Sequence, residues 1–182
     1  RQRHTRSVAS VGTLLGGRYE LVALAGEGGM ATVYRAVVRG AAGFTRLVAV
    51  KRIRPEYRAL KHYVDMFVEE ARVGSDLAHP NIVQVYDFLE DHELYCLIME
   101  WVEGLDFGSL LREFATAGRM LPWRLVCAVG VGTLRGLGAA HERVNADGVP
   151  TPVIHRDVSP HNILIGVNGV VKLTDFGLAR AR

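Results

Sequence analysis

HRDVSPHNILI, His155 to Ile165, and TDFG, Thr174 to Gly177, decide how this chain reads. Asp157 and Asn162 stand five positions apart on a polar loop between apolar stretches, and Asp175 ends a short strand-like run. Hard oxygen ligands at strand ends suit Mg²⁺ carrying phosphate groups. Taken singly, each of these aspartates reads equally well as a turn cap. Their order gives them weight, because charged residues upstream belong to the same pattern.

The first of those upstream features is GEGGMATV, Gly26 to Val33. Glycines let backbone N–H groups approach phosphate oxygens, and a glycine loop between two strands makes a flexible cover over a nucleotide. Ala31 stands where a third glycine is expected and is still small. A strand rather than a helix follows, which disfavours a dinucleotide-binding unit, and no GK[ST] follows to make a Walker loop. Glycine-rich hairpins are common, so this loop alone decides little.

The second feature is VAVK, Val48 to Lys51. Of the 22 Lys plus Arg, only Lys51, Lys61 and Lys172 are lysines, so a lysine inside a motif is less readily a chance event. A strand lysine flanked by valines calls for an anion nearby, or else snorkels to water from an edge. A helix read from Glu56 to Leu77 offers the partner. At 100° per residue, Leu60, Tyr63, Val64, Phe67, Ala71, Gly74 and Leu77 make one apolar face; Glu70 lies roughly 60° from its centre and Glu69 roughly 160° away. A carboxylate flanking a packed face is costly unless paired. Glu70, not Glu69, is therefore the expected partner of Lys51.

The first half of the chain is strand-rich: Arg18–Leu24, Thr32–Val38, Leu47–Ile53, Ile82–Leu89 and Leu94–Val102 all carry β-type patterns. Helices are expected over Phe107–Ala117 and Pro122–Arg143, the second apolar almost all round and so expecting burial on several sides. Short strands follow around Ile163–Ile165 and Val170–Thr174. This order predicts an α+β molecule of two lobes with a cleft between them. Its domains are a disordered flank at 1–17, a nucleotide-binding lobe at 18–102 and a partial catalytic lobe at 103–182. With 182 residues, 49% apolar content and a net charge of +3 spread along the chain, no basic stripe marks a nucleic-acid surface. No run is long enough to cross a bilayer and the basic RQRHTR start lacks an apolar segment behind it, so no membrane contact is expected and a cytoplasmic location is. Cys96 and Cys127 sit in apolar runs and read as two packed thiols of a reduced compartment.

Taken together, Gly26–Val33, Lys51, Glu70, HRD-x4-N and DFG make the chain resemble the eukaryotic-like bacterial serine/threonine protein kinases over Tyr19 to Arg180. The resemblance implies a two-lobed kinase fold, ATP and Mg²⁺ as cofactors, and a protein Ser/Thr substrate. It implies that Gly26, Glu27, Gly28, Gly29, Met30 and Ala31 cover the phosphates, and that Lys51 holds them while paired to Glu70. Asp157 would orient and deprotonate the acceptor hydroxyl, and Asn162 and Asp175 would bind magnesium. Val33, Ala49 and Leu164 would sandwich the adenine, with Met99 behind it and the backbone of Glu100 and Val102 at its edge. Arg156 matches family members whose activation loop is phosphorylated.

Three departures from the family stand out. Ser159 occupies a position where serine/threonine kinases carry Lys, Gly74 one where a larger packing residue is usual, and the chain ends five residues past Gly177. The family's activation segment and later helices are absent from these residues, so the 182 residues by themselves are expected to be poorly soluble and inactive. The competing readings are a pseudokinase acting as a nucleotide-binding switch and a small-molecule kinase of related fold. Retention of Lys51, Asp157, Asn162 and Asp175 disfavours the first, and the full HRD and DFG set the second.

Overall fold

The computed structural model describes residues 11–91, 94–145, 147–176 and 180–181. In chain order it contains β1 (Leu14–Leu15), β2 (Tyr19–Glu27), β3 (Ala31–Arg39), β4 (Thr45–Ile53), α1 (Pro55–Arg58), α2 (Lys61–Ser75), β5 (Val85–Asp91) and β6 (Leu94–Glu100). These strands form one antiparallel sheet in the order β1-β2-β3-β4-β6-β5. The second half contains β7 (Gly104–Asp106), α3 (Phe107–Thr116), α4 (Trp123–His141), β8 (Val153–Ile154), β9 (Ile163–Gly166), β10 (Val171–Leu173) and β11 (Arg180–Ala181). There β10, β9 and β7 make a second sheet, and β8 pairs with β11.

Strand alternation sorts the large sheet into two faces. Leu21, Tyr34, Ala36, Val48, Val50 and Ile98 pack together on one face, closed by Leu15 and Tyr19. The register Ala31↔Ile53, Val33↔Lys51 and Ala49↔Met99 puts those residues on the opposite face, toward α2 and the second half of the chain. One side of α2, Phe67 and Ala71, packs there with Ala31, Ile53 and Leu97. Another side, Val73, joins Leu77, Ile82, Val129, Ile163, Val171 and Leu173 in the core of the helical half. Helix α2 thus rests on both halves, with Glu70 between its two contacts.

The contact of α2 with the sheet explains Gly74. A Cβ at this position would stand 2.5 Å from Val85 Cγ2, so the absence of a side chain lets the helix lie close on β5. Gly74→Ala would gain about 1 kcal/mol of helix propensity but must push aside a β-branched neighbour with few rotamers. Overpacking of this kind costs about 1–3 kcal/mol. The variant is expected to melt lower than wild type, and Val85→Ala in the same chain to remove the loss. A thermal melt of the single and double variants checks both statements.

Several expectations need correction. The flank expected to be disordered to residue 17 is ordered from residue 11 onward: Gly12 N–H donates to Leu21 O, Leu14 and Leu15 pair with Glu20 and Tyr19, and Leu15 is buried. Residues 1–10 lie outside the described ones. The expected helix 56–77 is two, because Leu60 adopts an extended backbone (φ −98°, ψ 95°) and begins α2 as its N-cap. Leu60 is accordingly exposed rather than part of the apolar face. The strand expected from Ile82 begins at Val85; Ile82 instead bridges Leu173, and Val83 N–H donates to Leu173 O.

Helix α4 is buried along one stripe only, made of Val129, Gly132, Thr133, Gly136 and Ala140. The glycines let it approach closely, with an added Cβ 2.6 Å from Val171 at Gly132 and 2.7 Å from the Asn81 carbonyl at Gly136. The other side is exposed, Leu134 at 68%. Cys127 lies on it and is exposed, unlike the buried Cys96, so only one of the two thiols is packed. No helix among the described residues is long and apolar enough to cross a membrane.

Candidate functional site

The cleft between the two halves holds a cavity of about 500 Å³, a size that suits a small-molecule ligand. Its roof is the sheet face bearing Val33, Ala49 and Met99, its floor is Leu164 of β9 with Val83, and Glu100, Trp101 and Val102 form the connection behind it. Gly26, Glu27 and Gly28 of the β2–β3 hairpin cover the other end, closed by the Gly28 N–H to Ala31 O bond (2.9 Å). The opposite wall consists of Asp106, Ser109, His161, Thr174 and Asp175. Gly104 makes this wall possible, because a Cβ there would sit 1.9 Å from the Ile165 carbonyl oxygen.

Lys51 Nζ lies beside the cavity, 2.6 Å from Glu70 Oε1 and 2.6 Å from Asp175 Oδ1. Strand pairing aims Lys51 at α2, helix phase aims Glu70 back at the sheet, and Asp175 arrives at the end of β10. Glu70 is 7% exposed. Glu69 points outward, its side chain 4.0 Å from Arg72. One ammonium serves two carboxylates. Burial pushes the Glu70 carboxyl above its ordinary value despite the pull of Lys51. At Asp175 burial acts the same way, but the Lys51 charge and hydrogen bond outweigh it and hold the group below the usual range. Burial lowers Lys51, and the two carboxylates more than reverse that, keeping it protonated well above its ordinary value.

Asp157 and Asn162 are joined within their loop, Asn162 Nδ2 donating to the Asp157 carbonyl (2.9 Å) and to Asp157 Oδ2 (3.0 Å). His155, buried against Phe176, faces the Thr174 carbonyl with Nε2 (2.9 Å), which requires Nε2 to carry the proton. Nδ1 is then the acceptor for the Asp157 N–H (3.3 Å). The loop is thereby bound to the strand that bears Asp175, and Thr174 N–H donating to Asn162 O (3.0 Å) is a second tie. Arg156 (φ 66°) and Asp175 (φ 62°) adopt left-handed backbone, a conformation uncommon for residues other than glycine and often held by function.

The expected residues thus gather around one cleft, with differences of detail. Gly29, Met30 and Ala31 do not line the large cavity. Ala31 is buried on Ile53 and Phe67, and with Met30 it borders a small space next to Lys51 and Glu70. Of β3, Val33 reaches the cavity roof, whereas Ala31 packs with Phe67 and Ala71 of α2. Gly177 lies outside the described residues. The sequence reading missed Trp101, Leu105, Asp106, Ser109 and His161. A legible signal existed for one of them: Asp106 before an apolar helical run is an N-cap pattern. It accepts from Ser109 N–H (2.8 Å), and His161 Nδ1 lies 2.9 Å away. Burial raises the Asp106 carboxyl, but the Ser109 bonds and His161 together hold it below its ordinary value.

Residues 19–182 match the family model described as the protein kinase domain. The chain belongs to the protein kinase family. This kinase domain is 41% identical over 165 residues to the tyrosine-protein kinase MasK of Myxococcus xanthus, covering 91% of this chain and 26% of MasK. It is 35% identical to the serine/threonine-protein kinase PrkC of Bacillus subtilis, covering 94% of this chain and 24% of PrkC. The chain therefore spans about a quarter of the length of these curated relatives. The kinase domain of PknI from Mycobacterium tuberculosis superposes with a TM-score of 0.72 at 26% identity, over 93% of this chain and 61% of that one. The architecture described above is the protein kinase fold, and it is bacterial kinases that it resembles.

Proposed function

We propose that this kinase domain transfers the γ-phosphoryl group of ATP to protein side-chain hydroxyls, serine and threonine first, with Mg²⁺ as cofactor. The reading is carried by one observation: Lys51, Glu70 and Asp175 converge within 2.6 Å contacts beside a nucleotide-sized cleft that also borders the Asp157–Asn162 loop. The donor set fits the cation. Asn162 gives its Nδ2 to Asp157 and keeps its amide oxygen free to bind, and Asp175 offers a carboxylate. Among the described residues no cluster of three acidic, His or Cys groups forms a cage. Mg²⁺ retains waters and phosphate oxygens and needs few protein ligands. When bound, it neutralises charge on the phosphates.

The protein's own groups do the rest. Val33, Ala49 and Leu164 enclose a planar base, and Met99 stands behind it. The Glu100 N–H is already donated to the Gln84 carbonyl (2.8 Å), so an adenine edge meets that residue through its carbonyl. An ammonium has three N–H donors; two of those of Lys51 serve Glu70 and Asp175, and the third is left for a phosphate oxygen. Asp157 accepts the acceptor hydroxyl's proton as its oxygen bonds to the γ-phosphorus and the bond to the β-phosphate oxygen breaks, releasing ADP. Placing the first lobe at 18–102 and the second after it puts the nucleotide between them.

Ser159, two residues after Asp157, carries a hydroxyl and no charge. With Lys51 on the α- and β-phosphates, charge neutralisation at the γ-phosphate then rests on the cation. Ser159→Lys is expected to leave transfer intact or raise it, as steady-state rates on a generic protein substrate would show; loss of activity would mean a different loop geometry. The function itself is tested by radiolabelled transfer from ATP with a chain extended through the family's activation segment and later helices, followed by phosphoamino-acid analysis. Phosphoserine and phosphothreonine are expected. Phosphotyrosine alone would place the enzyme with MasK, and nucleotide binding without transfer would support a signalling switch.

A further inference from the structure

We infer that His161, Asp106 and Gly108 form a clasp that positions the catalytic loop, so that His161 is a positioning residue for the transfer step; this rests on the phosphotransfer reading above. The loop from His155 to Asn162 is held at its two ends by different means. At the first end, buried His155 is bonded to the Thr174 carbonyl. At the second end the chain makes a short 3-10 turn, Pro160–Asn162. Among the described residues, the side-chain bond from that turn to another element is His161 Nδ1 to Asp106 Oδ1, 2.9 Å across 55 positions of sequence.

The receiving end is built for this contact. Asp106 is the N-cap of α3, and its carboxylate is fixed by Ser109 N–H (2.8 Å) and the Ser109 hydroxyl (2.5 Å). Gly108, in the first turn of α3, is buried, and a Cβ there would stand 2.5 Å from His161 Cε1 and 2.7 Å from Nδ1. Glycine is a poor helix former, and here its lack of a side chain is what admits the imidazole. The ring lies against the first turn of α3 with one nitrogen on the cap carboxylate. Between the two anchored ends lie Asp157 and Ser159, and Asn162 follows His161 directly. Supporting hydrogen bonds of this kind orient the groups that touch substrate, and losing one lowers activity by about 10- to 100-fold.

The clasp makes a prediction no general packing role makes. His161→Ala is expected to lower kcat about tenfold and to speed amide exchange over residues 157–163. His161→Asn, whose amide nitrogen stands near the position of Nδ1, should return both toward wild type. Gly108→Ala should be damaging in the wild-type chain, because its methyl displaces the ring, and should add little further loss in the His161→Ala background, where no side chain reaches the first turn of α3. Steady-state kinetics and hydrogen exchange on the chain extended through the family's later helices and on these variants decide the matter, with thermal melts to show each is folded. Unchanged exchange or unchanged kcat in His161→Ala would overturn the proposal. So would equal damage by Gly108→Ala in both backgrounds. If wild type transfers no phosphate, the phosphotransfer reading fails, whereas the exchange pattern alone still decides whether the clasp holds the loop.

Discussion

Lys51→Met and Asp175→Asn, each made in a chain extended through the family's activation segment and later helices, are expected to reduce phosphotransfer by about a thousandfold or more. Phosphoryl transfer depends on positioning and on charge stabilisation of a highly anionic group, with little covalent work for the protein. Among the described residues, Lys51 supplies the side-chain cation that meets both Glu70 and Asp175, 2.6 Å from each. Methionine keeps the length of the side chain and removes the charge. Glu70, already pushed upward by burial, then takes up a proton rather than remain a buried unpaired anion. The fold should survive for that reason, and a cooperative melt of the variant is the control. Asp175→Asn keeps the shape and removes the charge from the cation site, and its loss should not be restored by raising ATP. Near-wild-type turnover in either variant would remove the basis of the proposed roles.

Glu70→Gln should lower kcat by about tenfold or more, and Glu69→Gln by less than about twofold. The two residues are neighbours in sequence with opposite surroundings. Glu70 is buried and paired to Lys51 within the cleft, whereas Glu69 has a half-exposed carboxylate 4.0 Å from Arg72 on the solvent side. An exposed pair of that kind contributes little to stability. In Glu70→Gln the amide cannot balance the ammonium, and Lys51 shifts toward Asp175, its remaining carboxylate. Equal losses at the two positions, measured side by side, would overturn the proposed pairing.

The sequence alone determined what depends on neighbours along the chain. The phase of an α-helix is local, so a 100° step from Phe67 and Ala71 was enough to separate Glu70 from Glu69 before any contact was known. A strand lysine flanked by valines likewise called for an anion near Lys51, and the HRD and DFG stretches marked the loop and strand end that carry Asp157, Asn162 and Asp175. Periodicity states which side of an element is apolar. It does not state what covers that side. Helix α4, apolar almost all round in sequence, is buried only along its stripe of small residues, because Gly132 and Gly136 fit Val171 and the Asn81 carbonyl. Gly74 is explained only by β5, whose Val85 lies where its Cβ would stand, and no periodicity marks the extended backbone of Leu60 that begins α2. The bond between His161 and Asp106 joins residues 55 positions apart. No local pattern encodes it, since the approach of the catalytic loop to α3 is set by how β7, β9 and α3 pack together in three dimensions.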